Sequence, residues 1–156
     1  MALTTQTMTD EQRKSVALEF LKAIDNRDES SSGEPPLDLF ADDAQMYFPK
    51  WGVANGKQEI KQLFVDAAGL VVSSLHDYAH INWIFSGSDL LVAEGTSIGE
   101  HRDGPWRVDL PKWGAGRWCD VFEIRDWQIQ RVFVYVDPDY AGKDAARYPW
   151  LEAPKS

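Results

Sequence analysis

The run GRWCDVFEIRDWQIQRVFVYVDPDY, from Gly116 to Tyr140, restricts the possible folds more than any other part of the chain. It holds two long stretches of alternating side chains joined by a short turn, and strand side chains point alternately to opposite faces. Trp118, Asp120, Phe122 and Ile124 therefore share one face, and Arg117, Cys119, Val121 and Glu123 the other. Beyond a turn around Arg125 and Asp126, Ile129, Arg131, Phe133, Tyr135 and Asp137 alternate with Gln130, Val132, Val134 and Val136. Both faces are partly apolar, which predicts a hairpin covered by helices on one side and in part on the other. One face sets Asp120, Arg131, Tyr135 and Asp137 among aromatic rings, as the lining of a small-molecule pocket would be. The alternative is a core sheet with satisfied polar ends.

A chain of 156 residues with 44% apolar side chains can bury one hydrophobic core, so a single domain over residues 1–156 is expected, its core near 10–140. Sixteen Lys and Arg against 25 Asp and Glu leave a net charge of −9, which repels phosphate backbones and anionic lipids. Neither nucleic acid nor membrane is an expected partner. The start, MALTTQTMTDEQ, lacks a basic opening and a signal-length apolar run, and no later run approaches the roughly 20 residues of a membrane span. A cytoplasmic location is expected. The lone Cys119 has no internal disulfide partner, and mid-strand it reads as a small buried side chain. Seven Trp within a 12% aromatic content imply a bulky core or a flat apolar ligand.

Thr9-Asp-Glu-Gln12 has the capping-box pattern, and Val16, Ala17, Phe20, Leu21 and Ile24 follow at helical spacing, so a helix is expected from about Asp10 to Asp25. Asp28 to Pro36 reads as a polar, mobile linker, Leu37 to Phe40 as a helical turn, and Ala44 to Phe48 as a short strand stopped by Pro49. Asn55-Gly56 opens a second helix carrying Ile60, Leu63 and Phe64. Strands are predicted over Leu75–Phe85 and Leu90–Glu100, and a loop with Trp106 and Trp113 is expected to close over one rim of the sheet. Helices gathered before a run of strands predict an α+β fold.

Leu39-Phe-Ala-Asp-Asp43 precedes Gly56 and its helix, and Gly87-Ser-Asp89, Gly95-Thr96, Gly99, Asp120-Val-Phe122 and the run from Ile129 to Asp137 follow. With the element order, these residues make the chain resemble the SnoaL-like branch of the nuclear transport factor 2-like superfamily. The resemblance implies a cone-shaped α+β roll, in which a strongly bent, mostly antiparallel sheet wraps round the N-terminal helices and an apolar pocket opens at the wide end. Its members include polyketide cyclases, ketosteroid isomerase, scytalone dehydratase and proteins without a catalytic role. Compared with ketosteroid isomerase, the chain has Phe20 and Phe48 where that enzyme needs a tyrosine and an aspartate base, and keeps only an acid at Asp120. Compared with SnoaL-type cyclases, His101, Asp120 and Asp137 match. Compared with scytalone dehydratase, Asp25, His76 and His101 match, while Ile24 and Phe48 replace the tyrosines that would hold the departing water.

A histidine near neutral pKa can act as acid and base in turn, which suits cyclisation, dehydration or isomerisation beside a carbonyl without a cofactor. The candidate catalytic set is His101, first in rank, with Asp120, His76 and Asp25. Each has a structural alternative: a strand-end histidine for His101, a capping histidine for His76, a hydrogen-bonded structural acid for Asp120 and a polar helix end for Asp25. Tyr47, Trp83, Trp118, Phe122, Arg131, Phe133, Tyr135 and Asp137 are the candidate substrate-binding residues, facing a small apolar or aromatic ligand. His76 and His80 lie about 13 Å apart in a straight strand, so no metal is expected, and no cofactor either. A non-catalytic ligand-binding protein and an interaction module are the other readings. Val121, Val132, Val134 and Val136 on the outer sheet face predict a homodimer, and the tail with Tyr148, Pro149 and Trp150 is expected to cover the pocket mouth or a neighbouring subunit.

Overall fold

Two helices carry the apolar stripes around which the sheet closes. The computed structural model describes residues 7–26, 36–106 and 116–143. Helix α1 (Asp10–Asn26) begins at the expected reciprocal cap: the Thr9 amide donates to Gln12 Oε1 at 2.9 Å and the Gln12 amide to Thr9 Oγ1 at 3.2 Å. Its stripe buries Phe20 edge-on against Phe40 and Phe122, with ring centroids 5.9 and 5.6 Å away. Helix α2 (Gly56–Ala68) buries Ile60 and Leu63.

The strands are β1 (Phe40–Phe48), β2 (Gly52–Asn55), β3 (Val71–His76), β4 (Asn82–Ser86), β5 (Leu90–His101), β6 (Gly104–Pro105), β7 (Arg117–Arg125) and β8 (Gln128–Val136). They form one curled sheet in the order β2-β1-β8-β7-β5-β3, with β4 and β6 also paired to β5. The first half of β5 pairs with β4 and its second half with β3. The expected α+β roll is present, but β1 runs parallel to β8, so the sheet is mixed.

Two local irregularities overturn parts of the alternation read from the sequence. The strand expected over Leu75–Phe85 is two strands, because β3 ends at His76 and a 3-10 turn at Tyr78–His80 intervenes before β4. In β8 a bulge at Gln130 shifts the register, with Ile124 opposite Ile129 but Glu123 opposite Arg131. One extra residue in a strand reverses the facing of everything beyond it. Val132 and Val134 are therefore buried and Tyr135 is exposed. Three of the four valines expected on the outer face point inward, and Arg131, Phe133 and Tyr135 take their place outside. Of the linker expected over Asp28 to Pro36, Pro36 opens a 3-10 turn (Pro36–Leu39), while residues 28–35, Trp113, and the tail with Tyr148, Pro149 and Trp150 lie outside the described residues. Among the described residues no helix is long and apolar enough to cross a membrane.

Candidate functional site

Two glycines on β5 let two indole rings lie against the strand. A Cβ on Gly95 would come within 2.9 Å of Trp118, and one on Gly99 within 2.9 Å of Trp106 and 2.2 Å of the Ser73 carbonyl oxygen. The indoles wall a cavity of roughly 360 Å³, to which α1 contributes Ile24, α2 Leu63 and Phe64, β1 Phe48, and β8 Val134 and Val136. Its polar side chains include Ser74, His76, Ser97 and Asp120. The indole N–H groups of Trp106 and Trp118 are buried without a partner among the described residues, which is uncommon because each such group forgoes a hydrogen bond.

Behind His76 stands Asp25, at the end of α1. Its Oδ1 accepts from Ser74 Oγ at 2.8 Å and from His76 Nδ1 at 2.7 Å, and its Oδ2 accepts from the His76 amide at 3.0 Å and Tyr78 Oη at 2.5 Å. Burial alone would raise the Asp25 pKa, but the hydrogen bonds and charge of His76, with the Tyr78 hydroxyl, hold it below its ordinary value. A charged carboxylate accepts, so Nδ1 of His76 carries a hydrogen, and in the neutral imidazole Nε2 holds the lone pair. Edge-on packing against Trp118, with centroids 5.0 Å apart, further fixes the imidazole plane.

Asp120 lies on β7 between Trp118 and Phe122, as the alternation predicts. It is 3% exposed, with no hydrogen bond to its carboxyl among the described residues. Burial pushes its pKa up to about 8, so the group is mainly protonated at neutral pH and has a proton to give. Tyr140, also on the cavity wall, has its pKa raised by burial and then by the charges of Asp120 and Asp137.

His101 is not on this wall. It lies on the inward-facing side of β5, as Ser97 does, but four residues further along, about 13 Å at strand spacing. Trp106, seated on Gly99 and stacked on Tyr140 at 4.4 Å, occupies the space between. His101 instead lines a second recess, where its Nδ1 accepts the Asp103 amide at 3.2 Å and lies 3.6 Å from Asp103 Oδ2. A nitrogen that accepts an N–H carries no proton, so the 3.6 Å contact is no salt bridge in this state and Nε2 is the protonated position.

Of the eight candidate substrate-binding residues, only Trp118 lines the main cavity. Phe122 is wholly buried against Phe20, and Trp83 packs under Lys14, whose Nζ is 5.4 Å from the ring. Tyr47, Phe133, Tyr135 and Arg131 cluster on the outer face, the last three turned there by the β8 bulge. Asp137 follows the last residue of β8 and accepts the Asp139 amide at 2.9 Å. The sequence reading missed Ser74 and Tyr78, which complete the Asp25 network, because their partner is on a distant helix; their positions two residues either side of His76 were the available signal. Among the described residues no three His, Cys, Asp or Glu side chains converge as metal ligands.

Solved structures share this architecture at low identity. An NTF2-like protein from Anabaena variabilis, where NTF2 is nuclear transport factor 2, superposes with a TM-score of 0.64 and 19% identity, over 86% of this chain and 96% of the other. The protein has the NTF2-like fold. A provisionally assigned polyketide cyclase from Xanthomonas campestris shares that fold with a TM-score of 0.62 and 15% identity, over 90% and 95% of the two chains. So does a de novo designed protein with a curved β-sheet, at 0.58 and 15%, over 92% and 98%. An NTF2-like fold therefore does not specify a reaction; the side chains in the cavity have to. No protein-family model and no curated protein sequence matches the chain.

Proposed function

We propose that the protein is a cofactor-independent lyase, cyclase or isomerase that moves a proton beside the carbonyl of a small, flat, apolar compound. The observation supporting this is that one apolar cavity carries both a histidine of fixed tautomer and a carboxyl that burial keeps protonated. His76 Nε2 takes the proton from the carbon next to the carbonyl. The released C–H electron pair becomes the enol double bond, and the carbonyl oxygen takes the Asp120 proton. The imidazolium, held by Asp25, then gives its proton to another carbon, to a departing hydroxyl, or to the oxygen of a second carbonyl attacked by the enol carbon, and the enol hydroxyl returns its proton to Asp120 as the carbonyl re-forms. A ligand-binding protein without turnover is the second reading, favoured by Ile24 and Phe48 on the wall where scytalone dehydratase-like chemistry would call for tyrosines.

Deuterium uptake at the activated carbon of 2-tetralone in heavy water, followed by proton NMR, separates the two. Exchange above the buffer rate is expected. Quenching of tryptophan fluorescence by 2-tetralone without faster exchange leaves the binding protein, and the absence of both removes each reading.

We also propose a homodimer through the outer sheet face. Val53, Tyr47, Phe133, Val121, Val92 and Ile84 are successive register partners across β2, β1, β8, β7, β5 and β4, forming one apolar belt. Val53 and Ile84 at its ends are 46% and 49% exposed. A second copy would cover this self-complementary belt. Sedimentation velocity should show a dimer that Phe133→Glu converts to monomer; a monomeric wild type removes the proposal.

A further inference from the structure

The second recess, roughly 290 Å³, shares Phe48, Val71 and Tyr140 with the main cavity. Its remaining walls carry an unusual set of charges for a chain of net charge −9. Lys50 comes from the β1–β2 turn, Arg102 from the β5–β6 turn and Lys143 from the segment after β8. The two acids present are already engaged: Asp103 Oδ1 holds Lys143 Nζ at 2.9 Å, and Asp139 Oδ1 accepts the Lys143 amide at 2.9 Å. Among the described residues neither Lys50 nor Arg102 forms a salt bridge, although the charge of Arg102 helps to lower the Asp103 pKa. His101, whose Nδ1 accepts the Asp103 amide, adds its Nε2–H as a donor to the same recess.

Two cations with no salt bridge among the described residues, beside Phe48, Val71 and Tyr140, which also line the apolar cavity, suit a ligand with one acidic end. We infer that this recess takes the carboxylate of a ligand whose flat apolar body fills the main cavity. Arg102 presents a planar fork suited to a carboxylate and Lys50 a point charge, while the Tyr140 ring lies against the linking chain. The inference rests on the reading of the main cavity as a ligand site, but not on proton transfer there. It also assigns His101 a binding role instead of the catalytic one expected from the sequence.

Calorimetry on the full chain tests it with a matched pair of probes, 4-(2-naphthyl)butanoate and its neutral amide, 4-(2-naphthyl)butanamide. The acid should bind about tenfold more tightly than the amide, in line with a charge-assisted hydrogen bond. In the double variant Lys50→Gln/Arg102→Gln that preference should vanish while amide affinity is unchanged. Equal binding of acid and amide by the wild type, or a preference that survives in the double variant, overturns the inference and leaves the main cavity as a ligand site. Failure of both probes to bind overturns the two together. Loss of 2-tetralone exchange with the acid preference intact removes only the proton-transfer reading. Inorganic phosphate alone should give no saturating heat; a saturating isotherm lost in the double variant would mean a site for free anions and overturn the tethered form.

Discussion

The main cavity and the second recess hold one histidine each, and the two differ in what meets Nδ1. At His76 it is the Asp25 carboxylate, which must accept and so leaves Nε2 as a base. At His101 it is the Asp103 amide, which must donate and so puts the hydrogen on Nε2. The first arrangement readies an imidazole to take a proton and stabilises the cation that results; the second makes a neutral donor. A histidine's position on the inner face of a strand says little until the partner of its other nitrogen is known.

Changing the partner should break this contrast most strongly. Asp25→Asn can offer an N–H to Nδ1 and reverse the tautomer, so 2-tetralone exchange should fall about 10²–10⁴-fold. Asp103→Asn leaves the amide contact to His101 in place and should leave exchange unchanged.

Asp120→Asn should cost exchange about 10²-fold and remove its fall at high pH. Wild-type exchange should fall as pH rises through about 8, where the carboxyl loses its proton. Stability carries opposite signs at the two carboxylates. Asp120 has its pKa raised above the ordinary 3.8, so the fold binds its proton more tightly and wild-type stability is lost as pH climbs from about 4 to about 8; Asp120→Asn abolishes that slope. Asp25 has its pKa lowered, so its stabilisation is complete above 3.8 and is lost as pH falls below it. Thermal melts of wild type and both Asn variants against pH read each slope.

Gly99→Ala sharpens the comparison through the wall between the recesses. Its Cβ meets the Ser73 carbonyl and the Trp106 ring, and overpacking should cost about 1–3 kcal/mol in urea titrations. The smallest effect is expected at Tyr78→Phe. It removes one of four donors to Asp25 at a partly exposed position, costing about 1 kcal/mol by the same titration and leaving the His76 tautomer in place.

Local patterns made much of the fold legible. Thr9 and Gln12 marked the start of α1, and strict alternation in β7 put Asp120 among buried neighbours, where its raised pKa follows from burial alone. The sequence did not show the Gln130 bulge, because one inserted residue changes the facing of Val132 and Phe133 without changing the local pattern of residue types. Nor did it show the parallel pairing of β1 with β8, which joins residues far apart in the chain. His101 was misplaced for a different reason: its face was right, but its depth depends on Trp106 folding back over Gly99, and strand periodicity does not encode distance along a curled sheet.

In the proposed reaction His76, and not His101, is the base. Deuterium uptake by 2-tetralone, measured side by side for wild type, His76→Gln and His101→Gln at one pH, tests it most directly. A loss of about 10²–10⁴-fold is expected for His76→Gln and a wild-type rate for His101→Gln. A large loss in His101→Gln with exchange intact in His76→Gln would contradict it.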